Sequence, residues 1–402
     1  MAAPLNNLRI LDMSRVLAGP WAGQLLGDFG ADVIKIERPV CGDDTRSWGP
    51  PWLQGNESES GYFLSANRNK RSVTVDIATP DGQTIIQDLT KQSDVLLENF
   101  KAGTMARFGL GPETLLELNP ELIYCSISAY GQASSRADEP GYDAMIQASA
   151  GLMSITGPAP NEPGGPQKVG VAISDIMAGM YATTAILAAL NARTQSGRGQ
   201  HIDIPLYDSQ VAWLANQNMN YLLGGKVPER MGTAHPNLVP YQVFPTRDNE
   251  LMLAVGNDKQ FASCCDVLGL AELASDARFT TMRQRIANRE ELIEQMETKF
   301  RDRDTQDWLE LLVSRGVPAG PVNDIGEVLT NSYAQEKALV REIRNGNDVR
   351  VPTVANPVSF SETPVCYEKA PPLLGEHTVE VLQERLGYSD AKIETLRNEK
   401  VI

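Results

Sequence analysis

Apolar and polar positions change period repeatedly along the first 130 residues. Leu8 to Asp12 is a short apolar run that predicts a strand. Pro20 to Phe29 has helical spacing, and Asp32-Val-Ile-Lys-Ile-Glu37 predicts a second strand. Ser72-Val-Thr-Val-Asp-Ile77 alternates and is rich in β-branched residues. Thr79-Pro80-Asp81 follows with a capping side chain, a proline at the first helical position and an early acid, which together predict a helix start. Asp94 to Asn99 and Leu122 to Ile127 read as further strands. Strands alternating with helices predict βαβ units, hence an α/β fold with a parallel sheet.

The pattern loosens over 133–167, where Pro158-Ala-Pro-Asn-Glu-Pro-Gly-Gly-Pro166 cannot hold a regular element. Val169 to Ile173 then reads as a strand, followed by the most apolar helix of the chain, Ile176 to Leu190. That stretch falls short of the ~20 residues of a bilayer span, so a buried helix is expected. A strand His201 to Pro205 and a helix from Tyr207 come next. After Gly224-Gly225 the character changes. Tyr241 to Val255 predicts a hairpin turning near Asp248-Asn249, and amphipathic helices follow around 258–268, 288–301 and 304–315. The expected division is a large domain over 1–224, a small α+β domain over 225–325, and a C-terminal segment, 326–402, with two terminal helices near Glu376 and Ser389.

Composition narrows the function. Net charge is −15 over 402 residues, which argues against nucleic-acid binding through bulk charge. Five Cys without CxxC spacing and three scattered His argue against a disulfide framework or a metal centre. The N-terminus lacks a basic region followed by an apolar one, so a cytoplasmic protein without a membrane segment is expected.

The opening βαβ unit imitates a dinucleotide fold, ending on Glu37. Its turn, Ala18-Gly19-Pro20-Trp21-Ala22-Gly23, is not GxGxxG, and Trp21 would obstruct a pyrophosphate. An NAD-dependent oxidoreductase is therefore a lesser alternative. A Ser or Cys nucleophile is another, although no GxSxG elbow is visible. The polar residue that draws most notice is Asp175, where the apolar helix begins. Its bland reading is an N-cap. A carboxylate there is also a base-free nucleophile for an activated acyl group, with the helix N-terminus favouring its ionised form. The two readings are compatible.

The chain resembles the class III CoA-transferases over essentially its whole length. The carriers are Arg15-Val-Leu-Ala-Gly-Pro20, Leu26-Gly-Asp-Phe-Gly-Ala-Asp-Val-Ile-Lys-Ile-Glu-Arg-Pro39, Gly42-Asp-Asp-Thr-Arg46, Asn69-Lys-Arg-Ser72, Asp94 to Phe100, Gly141-Tyr-Asp143 and the Asp175 junction. Gly42 to Pro51, Gly232-Thr-Ala-His-Pro-Asn-Leu-Val-Pro-Tyr-Gln242 and Pro371 to His377 resemble the branch that handles succinate, hydroxymethylglutarate and glutarate.

The resemblance implies a Rossmann-like large domain, a small domain and an interlocked homodimer. It implies acyl-CoA and carboxylic acid substrates, no permanently bound cofactor, and transfer of CoA from a donor such as succinyl-CoA to a dicarboxylate such as glutarate. Asp175 would be the catalytic carboxylate, carrying CoA as an aspartyl thioester. Val16, Ala18, Arg38, Val75, Asp76, Ala78, Asn99, Phe100, Arg107, Tyr142 and Asp143 match positions on the CoA path. Val255-Gly256-Asn257-Asp258 matches a lid that carries more glycines in formyl-CoA transferase; that enzyme also has His and Gln where this chain has Arg15 and Leu17. Formate and oxalate are therefore disfavoured. Arg15 or Arg46 is expected to pair with the distal carboxylate of a dicarboxylic substrate, with His235 a further candidate. An α-methylacyl-CoA racemase and a non-catalytic CoA binder remain alternatives.

Overall fold

The computed structural model describes residues 2–53 and 56–402. They divide into two compact units. One comprises the chain up to Leu152, Val169–Gly225 and Gln335–Ile402; the other comprises Met153–Lys168 and Lys226–Ala334. The loop-rich 153–168 thus groups with the second unit. Backbone and side-chain bonds hold it there: Gly232 N–H donates to the Gly157 carbonyl and Arg230 Nε to that of Pro158.

The first unit is built on a six-stranded parallel sheet. Its strands are β1 (Arg9–Asp12), β2 (Asp32–Glu37), β3 (Lys70–Thr74), β4 (Val95–Glu98), β5 (Ile123–Ser128) and β6 (Gln200–Pro205). Their order is β3-β2-β1-β4-β5-β6, the doubly wound arrangement in which ligands bind where the strand order reverses. β3 lies two residues upstream of its expected position. Its register pairs Val33 with Lys70 and Glu37 with Thr74, so it ends where β2 ends.

Side-chain alternation feeds two cores. Ile10, Val33, Leu97 and Cys125 pack against the helices Ala18–Asp28 and Ile173–Ser196. Leu11, Ile34, Leu96 and Tyr124 face the other way, against Pro80–Thr90, Thr378–Leu386 and Asp390–Asn398. Each such buried side chain is worth about 1.5–3 kcal/mol. The helix Ile173–Ser196 has the length and composition to cross a membrane, but half of its apolar window is buried within the unit. It crosses the Ala18–Asp28 helix closely enough that a Cβ on Gly179 would lie 2.6 Å from the Ala18 carbonyl oxygen. Thr79 caps Pro80–Thr90 as expected, accepting from Gly82 N–H.

The second unit holds a three-stranded antiparallel sheet. Tyr241–Pro245 and Glu250–Ala254 form the hairpin, and Ala319–Pro321 pairs with its second strand. The helices Asp258–Leu268, Arg289–Phe300 and Thr305–Ser314 enclose a core of Phe244, Leu253, Phe261, Cys264, Cys265, Phe300 and Trp308. Burial raises the thiols of Cys264, Cys265 and, in the first unit, Cys125, so none of these three supplies a thiolate at neutral pH.

Candidate active site

The apolar helix begins three residues earlier than its hydrophobic pattern does, at Ile173, so Asp175 lies inside its first turn and not at the cap. The expected strand Val169–Ile173 is absent. Its backbone finds side chains in place of a neighbouring strand: Val169 N–H donates to Gln147 Oε1 at 2.8 Å, and Ser174 N–H to Asp143 Oδ1 at 2.7 Å. Asp143, from the helix Asp143–Ser149, is therefore the group that caps the Asp175 helix. The same oxygen lies 3.4 Å from Asp175 N.

The Asp175 carboxylate has no hydrogen-bond partner among the described residues, and it borders a cavity of about 250 Å³. Burial, and then the charge of Asp143, push its pKa up to about 7. The expectation of a helix N-terminus holding it firmly ionised is thus reversed, because Asp143 has taken the amide groups that would do so.

Arg15, Val16, Ala18, Asn99, Phe100 and Tyr142 line this cavity. A second cavity of about 200 Å³ is lined by Arg38, Val75, Asp76 and Ala78. Arg15 and Phe100 border both, with the guanidinium 5.0 Å from the ring centroid. Arg15 is loosely held: Nε has no partner, and Nη1 reaches Asp44 at only 3.4 Å. Val16 has φ 69°, a left-handed conformation that costs a β-branched residue about 1–3 kcal/mol. Clamps on either side hold it. Asn99 bonds both the N–H and the carbonyl of Arg15, and Asp43 accepts from Val16 N–H.

Other expected residues fall elsewhere. Asp143 caps the helix and does not line either cavity. Arg107 is exposed on the short helix Thr104–Arg107, beside Phe108 of the second cavity. Arg46 is unavailable to a substrate: it is 3% exposed, bonds Glu37 through Nε and Nη2 at 2.8 and 2.7 Å, reaches the Pro372 carbonyl and covers Phe63. His235, Gly256 and Asn257 belong to the second unit. The His235 ring packs on Tyr241, and burial followed by Arg289 lowers its pKa. Asn257 caps the helix Asp258–Leu268, and Gly256 N–H donates to Gln260 Oε1.

The residue pattern did not reveal the ionic cluster behind the Arg15–Ala18 loop. Lys35 binds Asp43 and the Ser14 carbonyl, each at 2.9 Å, while Lys70 binds Asp12, Asn67 and the Pro20 carbonyl. Both ammonium groups are fully buried. Burial alone would raise Asp43, but Lys35 and the Thr45 amide outweigh it and bring the carboxyl down to about 2. Burial brings Lys70 down to about 8 in spite of Asp12. Tyr62 was also missed. Its hydroxyl is pushed up to about 12 by burial and then by Asp175, Asp143 and Asp43, which puts it within electrostatic reach of the site.

Residues 5–378 match CoA-transferase family III. The succinate–glutarate CoA-transferase of Agrobacterium fabrum is 46% identical, covering 95% of each chain. The succinyl-CoA:glutarate CoA-transferase of Mus musculus is 44% identical over 98% of this chain and 89% of its own. The crystal structure of a CAIB/BAIF family protein from Brucella suis superposes with a TM-score of 0.84 at 42% identity, covering 96% of this chain and all of that one. An unpaired carboxylate on a cavity, in a doubly wound unit with these relatives, places the chain: it belongs to CoA-transferase family III and is an enzyme that transfers coenzyme A.

Proposed function

We propose that this enzyme moves CoA from succinyl-CoA to glutarate, or to a dicarboxylate of similar length, through a thioester on Asp175. The observation that carries the reading is the Asp175 carboxylate, bare of hydrogen bonds on a cavity wall that continues past Arg15 and Phe100 toward Arg38 and Val75. The names of the Agrobacterium and mouse relatives support the substrate pair.

The carboxylate attacks the thioester carbonyl, the C–S bond breaks, and CoA leaves as thiolate from a mixed anhydride. The thiolate then attacks the aspartyl carbonyl, which releases succinate and leaves CoA on Asp175. Glutarate attacks that thioester, and the departing thiolate returns to the glutaryl carbonyl, freeing Asp175. Each nucleophile attacks as an anion, Asp175 from the fraction ionised around its pKa of about 7, so no general base is needed at the attack itself. Arg15 is the cation placed to receive the distal carboxylate, since Arg46 is committed to Glu37. Arg38 and Arg107, both solvent-accessible, are assigned to the phosphates of CoA. The interlocked homodimer belongs to the same reading. Leu222 and Leu223, 70% and 82% exposed on the helix Asn216–Gly224, and Tyr181 on the Asp175 helix are apolar surface that a second copy would cover.

Incubation with succinyl-CoA alone, followed by peptide mass spectrometry, tests the chemistry. A CoA adduct on Asp175 is expected, absent in Asp175→Ala; no adduct overturns it. Arg15→Met should lower kcat/KM for succinyl-CoA about 30-fold while sparing acetyl-CoA. Equal losses for both donors would remove Arg15 from the proposal. Sedimentation of the free protein as a monomer would remove the dimer.

A further inference from the structure

The amide groups at the start of a helix are strong traps for a carboxylate. In the Ile173–Ser196 helix two of them, Ser174 N–H and Asp175 N–H, face one oxygen of Asp143. The other Asp143 oxygen accepts from Gln147 Nε2 at 2.6 Å, and Gln147 is fully buried. Gln147 Oε1 in turn holds Val169 N–H, fixing the segment that leads into the helix. On the far side Ser174 Oγ donates to Gln210, whose Nε2 donates to the Ile146 carbonyl. The turn bearing Asp175 is thus tied to two neighbouring helices, while the Asp175 carboxylate itself is tied to nothing among the described residues.

We propose that Asp143 is a positioning residue for the nucleophile: it fills the amide groups at the helix start and so leaves the Asp175 carboxylate free to project into the cavity. Without it, the nearest donors for the Asp175 carboxylate are those same amides, and a carboxylate folded back onto them points away from the substrate. Asp143 also acts at a distance, because its charge joins burial in raising Asp175. The other charged or titratable groups around Asp175 are Arg15, Asp44, Lys101, Glu139 and Tyr142 on the cavity wall and Tyr62 within electrostatic reach. The helix Leu206–Trp213 brings the neutral Gln210 to the turn.

This inference rests on Asp175 being the nucleophile, and the test separates the two. The rate of Asp175–CoA adduct formation from succinyl-CoA is measured from pH 5 to 9 in the full-length protein. The wild-type rate should rise through a midpoint near 7. Asp143→Ala, which removes the acceptor oxygens together with the charge, should move the midpoint toward acid by about one pH unit and lower the alkaline plateau about ten- to hundredfold. Asp143→Asn keeps the acceptor oxygen but not the charge, so the midpoint should move while the plateau stays near the wild-type value; it serves as the reporter if the Ala variant does not fold, and an unmoved midpoint there overturns the proposal. Loss of stability alone would lower the plateau in both variants and leave both midpoints at the wild-type value, which overturns the proposal. Wild-type plateaus in both variants also overturn it. No adduct in the wild type sinks the nucleophile reading and this one with it.

Discussion

Two groups of acidic side chains in the first unit have opposite fates. Behind the Arg15–Ala18 loop, Asp12, Glu37 and Asp43 are buried and matched by Lys70, Arg46 and Lys35. All three carboxyls are held below their ordinary range, because these cations outweigh the burial that opposes them. Some 140 residues onward in sequence, Asp175 sits beside another carboxylate, with no cation bonded to it among the described residues, and is pushed up to about 7. The matched cluster fixes a strained loop. The unmatched pair keeps an anion poorly stabilised, and a poorly stabilised carboxylate is the better nucleophile. Pairing serves architecture here, and in the proposed mechanism its absence serves chemistry.

The largest effect should come from removing the unmatched acid. Asp175→Asn should lower turnover about 10⁴-fold or more while stabilising the fold at pH 8 by about 1–2 kcal/mol. The sign follows from the raised pKa. The wild-type fold binds this proton more tightly than the unfolded chain does, so that contribution is present below about pH 4 and is lost as pH rises through 7. Chemical denaturation of both proteins at pH 5 and 8 checks it. Equal stabilities at pH 8 would mean that Asp175 is not strained electrostatically.

Lys70→Met should cost about 3–5 kcal/mol, because it strips buried Asp12 of the cation bonded to it. Urea midpoints measure it, and a loss below 1 kcal/mol would mean that the cluster is not structural. Acid should act on the matched cluster with the opposite sign to Asp175. Asp43, at about 2 in the fold and 3.8 as a free side chain, contributes stability above pH 4 that disappears as pH falls toward 2. Replacing it by Asn should flatten that part of the curve. Gly179→Ala should have the smallest effect, about 1–3 kcal/mol. Its methyl group would meet the Ala18 carbonyl and part the two helices that carry Ala18 and Asp175. A matching fall in kcat with unchanged KM would show that this crossing also aligns the site.

Much of this was legible in the residues. Apart from Val169–Ile173, the strands, the Thr79 cap and the hairpin at 241–254 came from local period and turn chemistry, and the structure places them within a few residues. Asp175 stood out because it lies where the most apolar helix of the chain begins, a place where a carboxylate can be both a cap and a base-free nucleophile. The rest depended on distance in sequence. Nothing near Arg46 announces that Glu37 and Pro372 will claim it, and nothing near Asp143 announces that it caps a helix 30 residues away. Val169 to Ile173 looks like a strand because it is a short apolar, β-branched run, but among the described residues no strand pairs with it. Only Gln147 carried a local hint, four residues after Asp143 on one face of its helix.

The long spacing of these bonds has a consequence for how the chain comes into being. Asp28 accepts from Asn356, Arg68 donates to Thr353, and Ser72 accepts from His377. The sheet that presents the candidate site is therefore closed by segments that emerge from the ribosome after the second unit, which lies almost wholly within 226–334. During synthesis the smaller unit has its core residues in hand while the larger still waits, with β2 and β3 lacking their outer cover. A chain stalled with residue 334 just outside the ribosomal exit tunnel should resist protease across 241–321 and be cut readily within 30–75; equal protection of both stretches would show that the sheet closes without its C-terminal partners.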